Sequence, residues 1–191
     1  MNAHTILGID PGTKEMGIAV LSGPRLLDHN VHTLRNGDHP YDIIAQARSV
    51  VLGYIKEYGP QVIAIEKPYL LPTKRAALLS VIEQELAARA GEPRLTLVEL
   101  TPEEIRQTVT GNLRATKLAV ATALAQVFPL LAGKVPRPPT RAALGLRSTD
   151  RYWLHMFDAL ALCVAVRDRF NSSGKNSPMP NASLAATDSE P

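Results

Sequence analysis

The chain has 191 residues, of which 45% are hydrophobic and 20% charged, a balance that suits one ordinary domain and excludes a wholly disordered polypeptide. A single cysteine, Cys163, excludes a disulfide scaffold. The net charge of +3 conceals an asymmetry. Arg106, Arg114, Lys117, Lys134, Arg137, Arg141, Arg147 and Arg151 are opposed within their segment by Asp150 alone. So concentrated a positive charge suits a polyanionic partner as well as a plain solvated surface. The longest apolar run, Ala159 to Val166, is much too short to span a bilayer. Met1-Asn2-Ala3-His4-Thr5 carries no basic stretch leading into an apolar one. No secretion signal is therefore expected, and a reduced cytoplasm is the expected location.

Thr5 to Ile9 reads as a strand, closed by the turn residues Asp10-Pro11-Gly12-Thr13. Met16 to Leu21 and Arg25 to Leu34 read as two further strands, and their short connections favour antiparallel pairing. Pro40 to Tyr58 has a helical apolar stripe stopped by Gly59-Pro60. Val62 to Ile65 is a short strand running into Glu66, Thr73 to Ala90 a helix, and Leu95 to Val98 a strand. Thr101-Pro102-Glu103-Glu104 is a capping box that starts a short helix, expected to stop near Gly111. A helix over about Ala115 to Phe128 should bury Val120, Leu124 and Val127. Pro129 to Arg147 holds four prolines and is expected to be an exposed irregular loop. A last helix is expected from about Asp150 to Arg169. The chain then divides into a domain over residues 1–170 and a disordered Asn/Ser/Pro/Ala-rich tail over 171–191. Three leading strands followed by alternating helix and strand make an α/β domain with a mixed sheet.

Two carboxylates, Asp10 and Glu66, end apolar strands, and ligands gather at the carboxyl ends of strands in open α/β sheets. Either one alone better suits a turn or a cap, and it is the pair on similarly placed strand ends that points to a site. In the last helix, His155 and Asp158 are the only non-aromatic polar residues between Tyr152 and Val166. A helix apolar all round is buried, so both groups are expected to be buried, on one face, three residues apart. They suit a mutually satisfied core pair, or something sharper. Asp10, Glu66 and Asp158 brought to one spot could not all ionise without a neutralising cation. Oxygen donors of this kind suit Mg²⁺ or Mn²⁺, and two such ions roughly 3.5–4 Å apart make a phosphodiester-cleaving site.

Three blocks in order, Ile6-Leu7-Gly8-Ile9-Asp10-Pro11-Gly12-Thr13, Val62-Ile63-Ala64-Ile65-Glu66 and His155-Met156-Phe157-Asp158-Ala159-Leu160-Ala161, resemble the RuvC family of Holliday-junction resolvases. The resemblance covers about residues 5–168. It implies a ribonuclease H-like fold and a homodimer that nicks opposed strands of a four-way DNA junction using Mg²⁺ or Mn²⁺, two per site. Branch-migration proteins are implied as further partners. It implies a quartet of Asp10, Glu66, His155 and Asp158 for both catalysis and metal binding, this chain having His where the family has Asp or His. Tyr69 matches a base-stacking aromatic, and Gly111 to Lys117 matches a helix entry whose basic residue meets DNA. The DNA-contact set so implied is Tyr69, Lys74, Arg75, Arg114 and Lys117. Two departures stand out. Val81-Ile82-Glu83-Gln84-Glu85 replaces a glycine-bearing segment, and the Pro/Arg-rich loop is long. Related nucleases that act on flaps, hybrids or ribosomal RNA precursors share this chemistry. A non-catalytic binding protein is disfavoured by the complete carboxylate set, and a phosphotransferase by the absence of room for a second lobe.

Overall fold

The computed structural model describes residues 4–12, 14–35, 42–67, 95–137 and 148–173. The expected helix over Thr73 to Ala90, with Lys74, Arg75 and the departing segment at 81–85, lies outside the described residues, as do Tyr69, residues 138–147 and the tail from 174.

The first strand, β1 (Thr5–Asp10), is buried along nearly its whole length and carries apolar side chains on both faces. Such a strand belongs at the centre of a sheet covered on both sides. It pairs antiparallel with β2 (Glu15–Ser22), from Thr5 opposite Ser22 to Asp10 opposite Gly17. β3 (Arg25–Thr33) pairs antiparallel with β2. On the other side of β1 lies β4 (Val62–Glu66), parallel, with Ile9 opposite Ile65, and beyond it β5 (Thr96–Leu100), also parallel. The five-stranded order is β3-β2-β1-β4-β5, the mixed sheet that the element order predicts.

Alternation along the strands divides the core in two. Leu7, Ile9, Ile18, Ile63 and Ile65 pack against α1 (Asp42–Tyr58) through Ala47, Val51, Tyr54 and Ile55. Ile6, Ala19, Leu21 and Ala64 face three helices on the other side. These are α2 (Pro102–Thr110), α3 (Lys117–Val127) and the long α4 (Ser148–Ser173). α2 starts as its capping box predicts: Thr101 Oγ1 accepts from the Glu104 amide, and the Glu104 carboxylate accepts from the Thr101 amide. Gly111 ends it in the left-handed region at φ 71°. α4 buries every residue from Ala159 to Val166, with Phe157 the largest fully buried side chain, worth about 1.5–3 kcal/mol in hydrophobic transfer. No described helix is long and apolar enough to cross a membrane.

Three expectations need correction. Val127 is 59% exposed, while Val120, Leu124 and Phe128 are buried. At about 100° per residue the buried stripe drifts towards Phe128, which takes the core position and leaves Val127 at the rim. Pro129–Lys134 is a 3-10 helix rather than irregular loop, and its Leu131 is fully buried. Proline at its first turn pre-sets φ there, and Leu131 anchors the turn against the helices. The last helix runs through Ser173, four residues past the expected end, with Ser172 bonded back to the Asp168 carbonyl.

The approach of α4 to the sheet is set by two glycines. A Cβ at Gly17 would lie 1.8 Å from the His155 carbonyl oxygen, and one at Gly8 would lie 2.1 Å from that of Ala159. Both obstacles are backbone and cannot rotate away. Gly53, in the exposed face of α1, has nothing within 4 Å of the same position. Gly8→Ala and Gly17→Ala should each destabilise the chain by at least about 1–3 kcal/mol, whereas Gly53→Ala should stabilise it by roughly 0.5–1 kcal/mol. Urea titrations of the three variants check this. A neutral Gly17→Ala would mean that α4 does not sit against β2.

Candidate active site

β1 and β4 run parallel with Ile9 opposite Ile65, so Asp10 and Glu66, the next residues, leave the sheet side by side at its carboxyl edge. α4 crosses this edge and adds His155 and Asp158 from consecutive turns. The His155 Nδ1 lies 2.6 Å from Oδ2 of Asp10. Its Nε2 lies 3.4 Å from Oε2 of Glu15, the first residue of β2. Lys117, the first residue of α3, bonds its Nζ to Oδ2 of Asp158. A cleft of about 50 Å³ opens between Glu66, Ile105, Arg106, Lys117 and Asp158.

The expectation that His155 and Asp158 are buried is corrected. Their side chains keep 29% and 19% of their exposure. β2 meets the helix backbone at His155 through Gly17, but β1 ends at Asp10 and β4 at Glu66, so the two side chains reach past those strand ends and line a cleft instead of a core. Of the DNA-contact candidates, Arg114 is exposed on the turn before α3, its amide bonded to the Asn112 side chain. Lys117 stands among the carboxylates. Glu15 was missed by sequence reasoning, although a signal was present: the antiparallel hairpin sets Gly17 opposite Asp10, and Glu15 lies two residues earlier on the same face of β2.

The charges in the cleft are strained. Desolvation and the neighbouring Asp10 charge push the Asp158 carboxyl up to about 6, against the pull of Lys117, and Glu66 adds to the rise. Desolvation works against the Lys117 charge, but Asp158, Asp10 and Glu66 outweigh it and hold the ammonium above its usual value. The His155 imidazole is raised chiefly by its hydrogen bond to Asp10, against desolvation, with Asp158 and Glu15 contributing.

A family model described as "Crossover junction endodeoxyribonuclease RuvC" matches residues 6–145. The chain belongs to the RuvC family. The match stops before His155 and Asp158, so their place in the site rests on the geometry above. A crossover junction endodeoxyribonuclease RuvC of Porphyromonas gingivalis is 33% identical over 121 residues, 61% of this chain and 64% of that protein. The match thus spans a little under two thirds of that relative's length. One from Thermobifida fusca is 29% identical over 151 residues, 72% of this chain and 78% of the relative. Among solved structures, Thermus thermophilus RuvC superposes with a TM-score of 0.64 at 22% identity, over 88% of this chain and 96% of that one. The yeast mitochondrial Holliday junction resolvase Ydc2 does so with a TM-score of 0.61 at 14% identity, over 91% and 81%. The RuvC fold of this chain is the α/β, ribonuclease H-like one.

The donor set fits a hard divalent cation: three carboxylates crowded enough to raise one of them, with an imidazole beside them. Among the described residues no three such side chains already form a cage. Asp10 is engaged by His155 and Asp158 by Lys117.

The raised Asp158 value has a signed consequence for stability. Between the ordinary carboxyl value of 3.8 and about 6 the folded chain holds a proton that the unfolded chain has released. Stability therefore falls as pH rises through that window, and the full penalty remains above it. Asp158→Asn should stabilise the metal-free chain at pH 8 by on the order of 1–3 kcal/mol and change little at pH 4. Thermal melts at both pH values check this. A variant less stable at pH 8 would mean that the carboxylate anchors Lys117 structurally.

Proposed function

We propose that this RuvC-family chain is a metal-dependent endonuclease that resolves four-way DNA junctions by paired nicks on opposed strands, as part of DNA recombination and repair. The observation that carries the reading is the convergence of Asp10, Glu66, His155 and Asp158 at one strand edge, in a chain whose relatives are named crossover junction endodeoxyribonucleases. A solved relative, Thermus thermophilus RuvC, is described in complex with Holliday junction substrate.

In this reading Asp10, Glu66 and Asp158 hold Mg²⁺ or Mn²⁺, two per site, and His155 contributes a nitrogen that Mn²⁺ accepts more readily than Mg²⁺. Bound metal supplies an activated water and neutralises charge on the phosphate. The rest is done by the chain. Lys117 stands at the cleft mouth with its charge held on, and Arg114 lies on the exposed turn that leads into α3. Together they offer cations to the phosphate backbone. Tyr69, Lys74 and Arg75 extend that contact set by resemblance alone. Branch-migration proteins are further partners on the same footing.

Asp10→Asn, Glu66→Gln and Asp158→Asn should each cut junction cleavage by more than about 100-fold, since loss of an outer-shell partner alone costs about 10–100-fold. Junction affinity should hold or rise, because negative charge near phosphate is reduced. Labelled four-way, three-way, flap and linear duplexes, assayed in Mg²⁺ and in Mn²⁺, check activity and substrate together. A gel-shift loss as large as the cleavage loss would make these carboxylates structural.

A junction has two-fold symmetry, which a C₂ homodimer matches with two active sites. Sedimentation of the junction complex should therefore give two chains per junction. A single chain per junction would favour a simpler nuclease.

A further inference from the structure

We propose that Glu15 is a positioning residue for His155, fixing which ring nitrogen the imidazole turns towards Asp10. This rests on the reading above in which His155 is a metal ligand.

The imidazole stands between two carboxylates, with Nδ1 2.6 Å from Asp10 and Nε2 3.4 Å from Glu15. The backbone dictates that placement. Gly17 faces α4 at His155, with the position of its missing Cβ 1.8 Å from the His155 carbonyl oxygen. Side chains alternate along a strand, so Glu15, two residues earlier, points from the same face of β2 towards the same residue. Pairing of Glu15 with Thr33 and of Asp10 with Gly17 fixes both ends of that stretch.

A neutral imidazole has one N–H donor and one bare nitrogen, and only the bare one can act as a ligand. An ionised carboxylate only accepts, so the nitrogen facing it is the one that keeps its hydrogen. With Asp10 committed to a cation, Glu15 is left as the acceptor. Nε2 then carries the hydrogen and Nδ1 is free on the Asp10 side. Carboxylates that hold the second nitrogen of a ligating histidine fix its tautomer and orientation in this way.

The test uses the full chain and its Glu15→Ala and Glu15→Gln variants, with His155→Ala alongside. Long-range proton–nitrogen correlation spectra of the His155 ring, in Mg²⁺ at pH 8, report the tautomer. Titration calorimetry with Mn²⁺ alone reports affinity. The parent and Glu15→Gln, whose amide oxygen still accepts, should show hydrogen on Nε2. Glu15→Ala should show mixed tautomers and bind Mn²⁺ about 10–100-fold more weakly. An unchanged tautomer in Glu15→Ala, with affinity within about twofold of the parent, would overturn the proposal while a weakened His155→Ala left the ligand reading standing. Unweakened Mn²⁺ binding by His155→Ala would overturn the ligand reading itself and the role of Glu15 with it. A loss in Glu15→Gln as large as in Glu15→Ala, with both tautomers unchanged, would reduce the contact to a charge effect and also overturn the proposal.

Discussion

Everything at the candidate site depends on how closely α4 lies against β1 and β2. The carbonyl oxygens of His155 and Ala159 occupy the space where Gly17 and Gly8 would have carried a Cβ. Without that contact the helix would stand away from the sheet, and His155 would not come within 2.6 Å of Asp10. The apolar residues Ala159 to Val166 hold the same helix down further along. Cys163 belongs to this packing: it is fully buried, and its thiol donates to the Ile6 and Ala19 carbonyls. Burial pushes that thiol up to about 12, so it is an inert core group. The site is thus built from rigid elements, two strand ends and a helix face, with positions set by packing.

The packing that builds the site also strains it. Asp158 would hold its proton well above the ordinary carboxyl range, because it shares a poorly solvated cleft with Asp10 and Glu66. Lys117 relieves part of this, yet its side chain is 65% exposed. An ion pair with one partner so exposed is cheap to break, since surface pairs are worth about 0–1 kcal/mol. The relief is therefore a loose latch over a fixed cluster. A cation of higher charge, were it to bind among the same oxygens as proposed, would displace the latch at small cost and relieve the repulsion that the fold imposes. Stability is given up at this edge through the repulsion among these carboxylates, a pattern common at functional sites.

Much of this was legible in the chain, for identifiable reasons. Strand ends marked by Asp10 and Glu66, the capping box at Thr101 and the apolar face of α4 are local signals, each with its own period or motif. Parallel pairing of β1 with β4 follows from the crossover between them. What escaped was set by tertiary context. Val127 has the spacing of a core residue, but Phe128 takes its place once Pro129 ends the helix and the 3-10 turn folds under. His155 and Asp158 sit in an apolar run, yet their side chains reach past the ends of β1 and β4 and keep part of their exposure, which nothing within the helix sequence marks. Glu15 meets His155 of α4, which lies 140 residues away along the chain.

The edge strand β3 bears on how two such chains could meet. Part of its backbone is already engaged by side chains. The His29 amide donates to the Asp28 side chain, the Val31 amide to the Asn30 side chain, and Tyr152 of α4 donates to the Val31 carbonyl. An edge already satisfied in this way is a poor template for a strand from a second chain, which would have to break these bonds to form its own. Lys134 adds a charge there, bonded to His29 and lying over the Trp153 ring. Strand addition at β3 is therefore disfavoured, and a dimer of the proposed kind would have to use some other surface.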